Sequence, residues 1–131
     1  MIGLDTNILV RYFVKDEPEQ TRLAINLIYS LSPSEQGWVG MAVMLELIWA
    51  LTRIYRVKRD GLARILDTLL RSRDIVVEQC DIVHEALNLY RRGNPDLPDC
   101  LIACSAKAAG CSQTVTFDRI AARDAGMHLL E

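Results

Sequence analysis

The chain has 131 residues, of which 50% are hydrophobic and 24% are charged, and its formal net charge is −2. This length suits a single domain, residues 1–131, which buries about two-thirds of the surface that the unfolded chain exposes. No apolar stretch is long enough to cross a bilayer, and no basic segment precedes an apolar one at the N-terminus. We therefore expect a cytoplasmic protein without membrane contact.

Short apolar strands alternate with helical patterns along the chain. In chain order the predicted elements are a strand at 2–5, a helix over 21–31, a strand at 37–40, an all-round apolar and hence buried helix over 41–55, a helix over 62–70, a strand at 75–78, a helix capped by Asp81, a helix over 98–109 closed by Gly110, a strand at 115–117, a short helix ending near Gly126, and a strand at 128–130. This alternation predicts an α/β fold with a mostly parallel sheet.

Cysteine and histidine usage gives little support to a metal site of their own. The four cysteines form no C-x-x-C pair, and two histidines are too few for a zinc site. Buried reduced thiols are the favoured interpretation of the cysteines. No Ser-His-Asp or Cys-His set is evident either.

Several acids follow strands or precede helices. Asp5 ends the first strand, Asp118 ends the fourth, and Asp96 and Asp99 open the helix in NPDLPDCLIAC. Parallel sheets place their ligand sites outside the carboxyl ends of the strands, which is where Asp5 is expected. Each of these acids could instead cap a helix, and Asp96 with Asp99 resembles a capping box.

Glu46 lies in the middle of the apolar helix, beside Leu45 and Leu47 and one turn from Trp49. An unpaired carboxylate in such surroundings would cost several kcal/mol, so a ligand-binding role is the preferred interpretation. A salt bridge to Arg53, two turns along, is the alternative.

Four carboxylates, Asp5, Glu46, Asp99 and Asp118, would repel one another strongly if they converged without cations. Carboxylate oxygens suit Mg²⁺ or Mn²⁺, and such a site can activate water against a phosphodiester. These four acids carry −4 of charge, so the rest of the chain carries +2. The acidic total is therefore compatible with a nucleic-acid substrate.

The segment RIYRVKRD supplies a basic run. Its cations are Arg53, Arg56, Lys58 and Arg59, and Arg11, Lys15, Arg91 and Arg92 add to them elsewhere. The run could be a solvated helix end, or it could hold RNA phosphates beside a metal site.

The sequence resembles the PIN-domain ribonucleases and, within them, the VapC-type toxins of bacterial toxin–antitoxin pairs. Four segments carry the resemblance in order along the chain: IGLDTNILVRYF, WVGMAVMLELIWAL, DLPDCLIACSAKAAGC and TVTFDR. The resemblance implies a PIN-like three-layer α/β/α fold with a central, mostly parallel sheet of four to five short strands. It also implies Mg²⁺- or Mn²⁺-dependent endoribonuclease activity.

The same resemblance assigns the acids. Asp5 and Asp99 would be the principal metal ligands, Glu46 would complete the first metal site or hold its water, and Asp118 would fill the fourth, more variable acidic position.

Neighbouring polar residues would support these acids. Asp96 matches a companion acid, and Thr6, Asn7 and Thr116 match polar residues that orient the ligands. The family further implies an RNA substrate, a VapB-like antitoxin partner and a homodimer.

Two other functions remain open from the sequence. A phosphoacceptor receiver domain also uses acids at strand ends, although it would want an acidic pair after the first strand and a lysine after a late one. A PIN-like RNA-binding or dimerising module without catalytic activity is the other alternative.

Overall fold

The computed structural model describes every residue from Met1 to Glu131. The backbone divides into two compact units, Met1–Glu78 and Gln79–Glu131. In chain order the elements are β1 (Ile2–Gly3), α1 (Thr6–Val14), α2 (Pro18–Ser30), β2 (Gly37–Val39), α3 (Met41–Arg53), α4 (Arg59–Arg71), β3 (Ile75–Val77), α5 (Cys80–Arg92), α6 (Leu97–Ala108), β4 (Val115–Thr116), α7 (Arg119–Asp124) and β5 (His128–Leu129). None of the helices combines the length and apolar character that crossing a bilayer requires. The single domain over residues 1–131 stays a prediction.

The first unit is built on a three-stranded parallel sheet in the order β1–β2–β3. Its hydrogen bonds continue beyond the strands. The Leu4 amide donates to the Trp38 carbonyl at 2.9 Å, and the Glu78 amide donates to the Val39 carbonyl at 2.9 Å. Because the strands are parallel, their carboxyl ends lie at one edge of the sheet, where α1 and α3 begin. The predicted position of Asp5 at this edge is confirmed.

The second unit holds a two-stranded parallel sheet, β4–β5, and the helix pair α5 and α6. The His128 amide donates to the Thr114 carbonyl at 2.7 Å, and the Leu130 amide donates to the Thr116 carbonyl at 2.8 Å. The α/β fold class with parallel strands is confirmed. The five strands form two sheets rather than one, because β4 and β5 hydrogen-bond only to each other.

Local capping chemistry sets the helix ends. Helix α2 begins at Pro18, three residues before the predicted start, because the Glu17 carboxylate accepts a hydrogen bond from the Gln20 amide at 2.6 Å. Gly110 follows α6 with φ at +94°, a conformation that glycine adopts without steric cost. Its predicted role in ending the helix is confirmed.

The predicted capping role of Asp81 is wrong. Helix α5 begins one residue earlier, at Cys80, and its N-cap is Gln79 in the left-handed conformation with φ at +51°. Asp81 therefore lies in the first turn, where a negative charge favours the free helix amides.

Helix α3 supplies much of the core of the first unit from one face only. Its buried side chains are Met44, Leu47, Ile48, Ala50 and Leu51. The opposite face is open, with Leu45 41% exposed and Trp49 54% exposed. The prediction of a helix buried on all sides is wrong, because apolar residues also occupy the solvent-facing positions and hide the helical periodicity.

The cysteines divide into two classes. Cys100 and Cys104 of α6 are buried, as predicted, and burial raises the pKa of the Cys104 thiol. Cys80 and Cys111 are exposed, so the prediction of buried thiols is wrong for these two.

The start of α3 depends on the carboxylate of Glu78, the residue that follows β3. Gly40, its N-cap, has no side chain to cap the helix, and the Glu78 carboxylate instead accepts a hydrogen bond from the Met41 amide at 2.7 Å. We expect Glu78→Ala to lower the free energy of unfolding by about 1 kcal/mol. The melting temperature should fall by about 4 °C.

The matched variant Glu78→Gln keeps an acceptor oxygen and loses only the favourable charge at the helix start. When both variants are unfolded in urea, the free energy of unfolding of Glu78→Gln should fall by only about 0.5 kcal/mol. Equal losses in the two variants would contradict a role for the hydrogen bond.

Candidate active site

Asp5 connects β1 to α1 as the N-cap of that helix. Its carboxylate accepts a hydrogen bond from the Thr6 amide at 2.8 Å and remains exposed to solvent. Thr6 is only 7% exposed, and its hydroxyl is buried without a hydrogen-bond partner. A buried unpartnered hydroxyl costs about 1–3 kcal/mol. Because this hydroxyl makes no hydrogen bond to Asp5, the supporting role of Thr6 stays a prediction.

Asp5 and Glu46 line the same cavity, which has a volume of about 310 Å³. The cavity lies between α1 and α3, and its remaining lining residues are Thr6, Asn7, Val10, Arg11, Trp49, Ala50, Ile54 and Tyr55. Within the first unit, the two acids that the sequence singled out are therefore brought to one place. Asn7, predicted as a supporting residue, also lines it.

The environment predicted for Glu46 is wrong. Its carboxylate is exposed rather than surrounded by core residues, so desolvation does not compel it to bind a ligand. It also forms no ion pair with Arg53. Glu46 is thus a free carboxylate on a cavity wall, available to an incoming cation.

Arg11 and Tyr55 are cavity residues that the site prediction missed. The Arg11 guanidinium donates to the Tyr55 hydroxyl at 3.2 Å, to Asp16 at 3.2 Å and to Gln20 at 2.8 Å. The hydrogen bond to Tyr55 is the main cause that raises the pKa of Arg11. The lining of the cavity therefore includes one fixed cation, Arg11, and two acids, Asp5 and Glu46. The residues around Arg11 gave no indication of this contact, because Tyr55 lies 44 residues away along the chain.

In the second unit, Asp96 caps α6 and Asp99 lies in its first turn. The Asp96 carboxylate accepts a hydrogen bond from the Asp99 amide at 2.8 Å, so the predicted capping interaction is confirmed. Asp118 caps α7 by accepting from the Ile120 and Ala121 amides at 2.8 and 3.1 Å.

Thr116 supports Asp118 through its hydroxyl, which accepts a hydrogen bond from the Asp118 amide at 3.0 Å. This bond fixes the turn between β4 and α7. Thr116 therefore contacts the backbone of Asp118 rather than its carboxylate, and its role in supporting that acid stays a prediction.

Asp99 has a perturbed acidity. Partial burial is the largest cause, followed by the negative charge of Asp96, a hydrogen bond shared with the Asp96 carboxyl and the charge of Asp118, and together they raise the pKa of Asp99 to about 6. Two neighbouring carboxylates thus disfavour ionisation of a third. Binding of a cation would relieve this repulsion.

The donor chemistry fits a hard divalent cation. Carboxylate oxygens are the ligands that Mg²⁺ and Mn²⁺ prefer. In addition, the negative charge of Asp99 is not balanced by a nearby cation, and the buried hydroxyl of Thr6 has no hydrogen-bond partner. In neither unit, however, do three or more His, Cys, Asp or Glu side chains come together as ligands for one ion. The four-acid metal site stays a prediction.

The basic run leaves α3 and enters α4. Arg53, Arg56 and Lys58 are exposed, and Arg56 has a left-handed backbone with φ at +53°. Arg59 is the first residue of α4. RNA binding by these four residues stays a prediction.

The comparisons with known proteins agree with this fold. The family model described as the PIN domain matches residues 2–126, and the chain belongs to this family. The chain is also similar to a VapC ribonuclease of Aquifex aeolicus (strain VF5), with 29% identity over 117 residues, 88% of this chain and 86% of that protein. The resemblance seen in the sequence is confirmed, and the receiver-domain alternative is set aside.

Replacing Asp99 tests whether its carboxylate is held at a cost. A raised pKa means that the ionised form is less stable in the folded chain than in the unfolded one, so the cost is fully present above about pH 6 and disappears as the pH falls towards the ordinary carboxyl range. At pH 8 with EDTA, Asp99→Asn should raise the free energy of unfolding by about 1 kcal/mol, a value reduced for partial exposure.

Asp81→Asn is the matched control, because Asp81 is also an acid in the first turn of a helix. We expect the free energy of unfolding of this variant to fall by about 0.5 kcal/mol, because the substitution removes a negative charge that is favourable at the start of a helix. A loss of similar size in Asp99→Asn would contradict the proposed repulsion.

Proposed function

We propose that the protein is a Mg²⁺- or Mn²⁺-dependent endoribonuclease that acts as the toxin of a VapBC-type toxin–antitoxin pair in the cytoplasm. The observation that carries the proposal is the cavity shared by Asp5 and Glu46, with the Arg11 guanidinium in its wall. The membership of the PIN family and the similarity to a VapC ribonuclease support it.

The carboxylates of Asp5, Glu46, Asp99 and Asp118 would hold the cation or cations. When bound, a divalent cation supplies the positive charge that promotes ionisation of water and stabilises negative charge on a phosphodiester under attack. Thr6, Asn7, Asp96 and Thr116 would keep the acids in place. The capping bonds of Asp96 and Asp118 support this, because they fix the backbone that carries the acids.

The cavity offers no side chain that is poised as a nucleophile. The Thr6 hydroxyl is buried, and the Tyr55 hydroxyl accepts a hydrogen bond from Arg11. Water is therefore the proposed attacking group, and the reaction is hydrolysis of an RNA phosphodiester. Arg11 and the exposed cations Arg53, Arg56 and Lys58, with Arg59, would bind phosphates of the substrate.

A VapB-like antitoxin is the proposed partner, and a homodimer is the proposed assembly. The PIN family membership and the similarity to a VapC ribonuclease support these assignments. Co-purification of the chain with the product of a small neighbouring gene would test the first, and light scattering would test the second.

Cleavage of total bacterial RNA tests the proposed activity directly. With Mn²⁺ or Mg²⁺ the protein should cut at a few positions, which sequencing of the new ends identifies, and EDTA should abolish the cuts. Asp5→Asn and Asp99→Asn should each reduce the rate by more than about 100-fold, beyond the usual cost of losing a group that only orients a ligand.

Asp60→Asn and Asp81→Asn provide matched controls, one in each unit. Both acids lie in the first turn of a helix and line neither the cavity of Asp5 nor the surroundings of Asp99. The two variants should cleave RNA at the wild-type rate. Wild-type cleavage by Asp5→Asn or Asp99→Asn would contradict the site, and no cleavage of any RNA by the metal-loaded protein would favour the binding module without catalytic activity.

A further inference from the structure

The exposed face of α3 carries three chemically different side chains in a row. Glu46, Trp49 and Arg53 are three and four residues apart, so they lie on one face of the helix about one turn from each other. All three are exposed. This row, which we call the α3 row, presents a carboxylate, an indole and a guanidinium in that order.

Trp49 belongs to the cavity of the candidate active site rather than to the core. It is 54% exposed and lines the same cavity as Asp5 and Glu46. Its indole N–H makes no hydrogen bond, whereas a buried tryptophan usually satisfies that group. The packing of the chain therefore leaves one large aromatic face open beside two acids.

We infer that Trp49 is a stacking platform for an unpaired nucleobase, and that Arg53 binds the phosphate that flanks this base. The inference rests on the proposed function and deepens it by assigning one residue to bind a base of the RNA and one to bind the adjacent phosphate. Aromatic side chains stack on unstacked bases with about 1–3 kcal/mol per base, and a base inside a duplex cannot reach such a ring.

Charge complementarity favours RNA over a protein partner at this face. A nucleotide combines an aromatic ring with an anion, and the α3 row offers a ring followed one turn later by a cation. Arg53 forms no ion pair, and Arg56 and Lys58 continue the positive charge beyond it. Binding of an apolar protein surface to this face would remove water from the charges of Arg53 and Glu46, which costs free energy.

The first test measures binding rather than cleavage. A fluorescently labelled single-stranded RNA octamer is titrated with the Asp99→Asn protein in Mg²⁺, so that turnover does not consume the probe. Adding Trp49→Ala should weaken binding by 10- to 100-fold, and Trp49→Phe should recover most of the loss. A blunt RNA duplex of the same sequence should bind weakly with or without Trp49.

Leu45→Ala is the matched control. Leu45 is an exposed apolar residue of the same helix that does not line the cavity, so its loss should leave binding unchanged. Equal binding by Trp49→Ala and its parent protein would overturn the inference and assign the exposed face to a protein partner. Equal losses in Leu45→Ala and Trp49→Ala would also overturn it.

A second measurement does not depend on how Trp49→Ala folds. The chain has two tryptophans, so Trp38→Phe leaves Trp49 as the single emitter. Saturation with the single-stranded octamer should quench this emission, and an unchanged emission would overturn the inference. Arg53→Gln should reduce the slope of log affinity against log salt concentration by about 0.7, the contribution of one phosphate contact on a single strand.

The outcomes separate this inference from the proposed function. Cleavage of total RNA by the wild-type protein, together with a neutral Trp49→Ala, would remove the stacking platform and keep the nuclease. Trp49-dependent binding of the octamer without any cleavage would keep the platform and remove the nuclease.

Discussion

The electrostatic cost of ionising Asp99, which arises first from its partial burial and then from the charges of Asp96 and Asp118, is the constraint on which the proposed metal dependence rests. Capping bonds fix Asp96 and Asp118 at the starts of their helices, and both charges act on Asp99. The chain folds with this cost because the caps themselves stabilise α6 and α7. Binding of a cation would offset this cost, which is the physical reason for the proposed metal dependence.

The first unit combines a supporting framework with open functional groups. Hydrogen bonds that continue the parallel sheet position Asp5, and the carboxylate of Glu78 positions the start of α3. Helix α3 then separates its functions by face: one face fills the core, and the other presents Glu46 and Trp49 to the cavity. The same helix thereby provides stability and a surface for the substrate.

Much of this arrangement could be predicted from local patterns, because strands, caps and helix stops depend on neighbouring residues. The position of Asp5, the Asp96 cap and the role of Gly110 are of this kind. Helix α1 lacked a clear signal because TNILVRYFV is rich in β-branched and aromatic residues, which favour strands. The exposure of Glu46 and the contact of Arg11 with Tyr55 depend on tertiary packing, so no local pattern contained them.

The thermal stability of the protein as a function of Mn²⁺ concentration tests the central claim most directly. A ligand that binds only the folded chain raises its stability by about 2.7 kcal/mol at 100 times its dissociation constant. We predict that Mn²⁺ raises the melting temperature of the wild-type protein and has little effect on Asp5→Asn or Asp99→Asn. The same rise in all three proteins, or no rise in the wild type, would contradict the account.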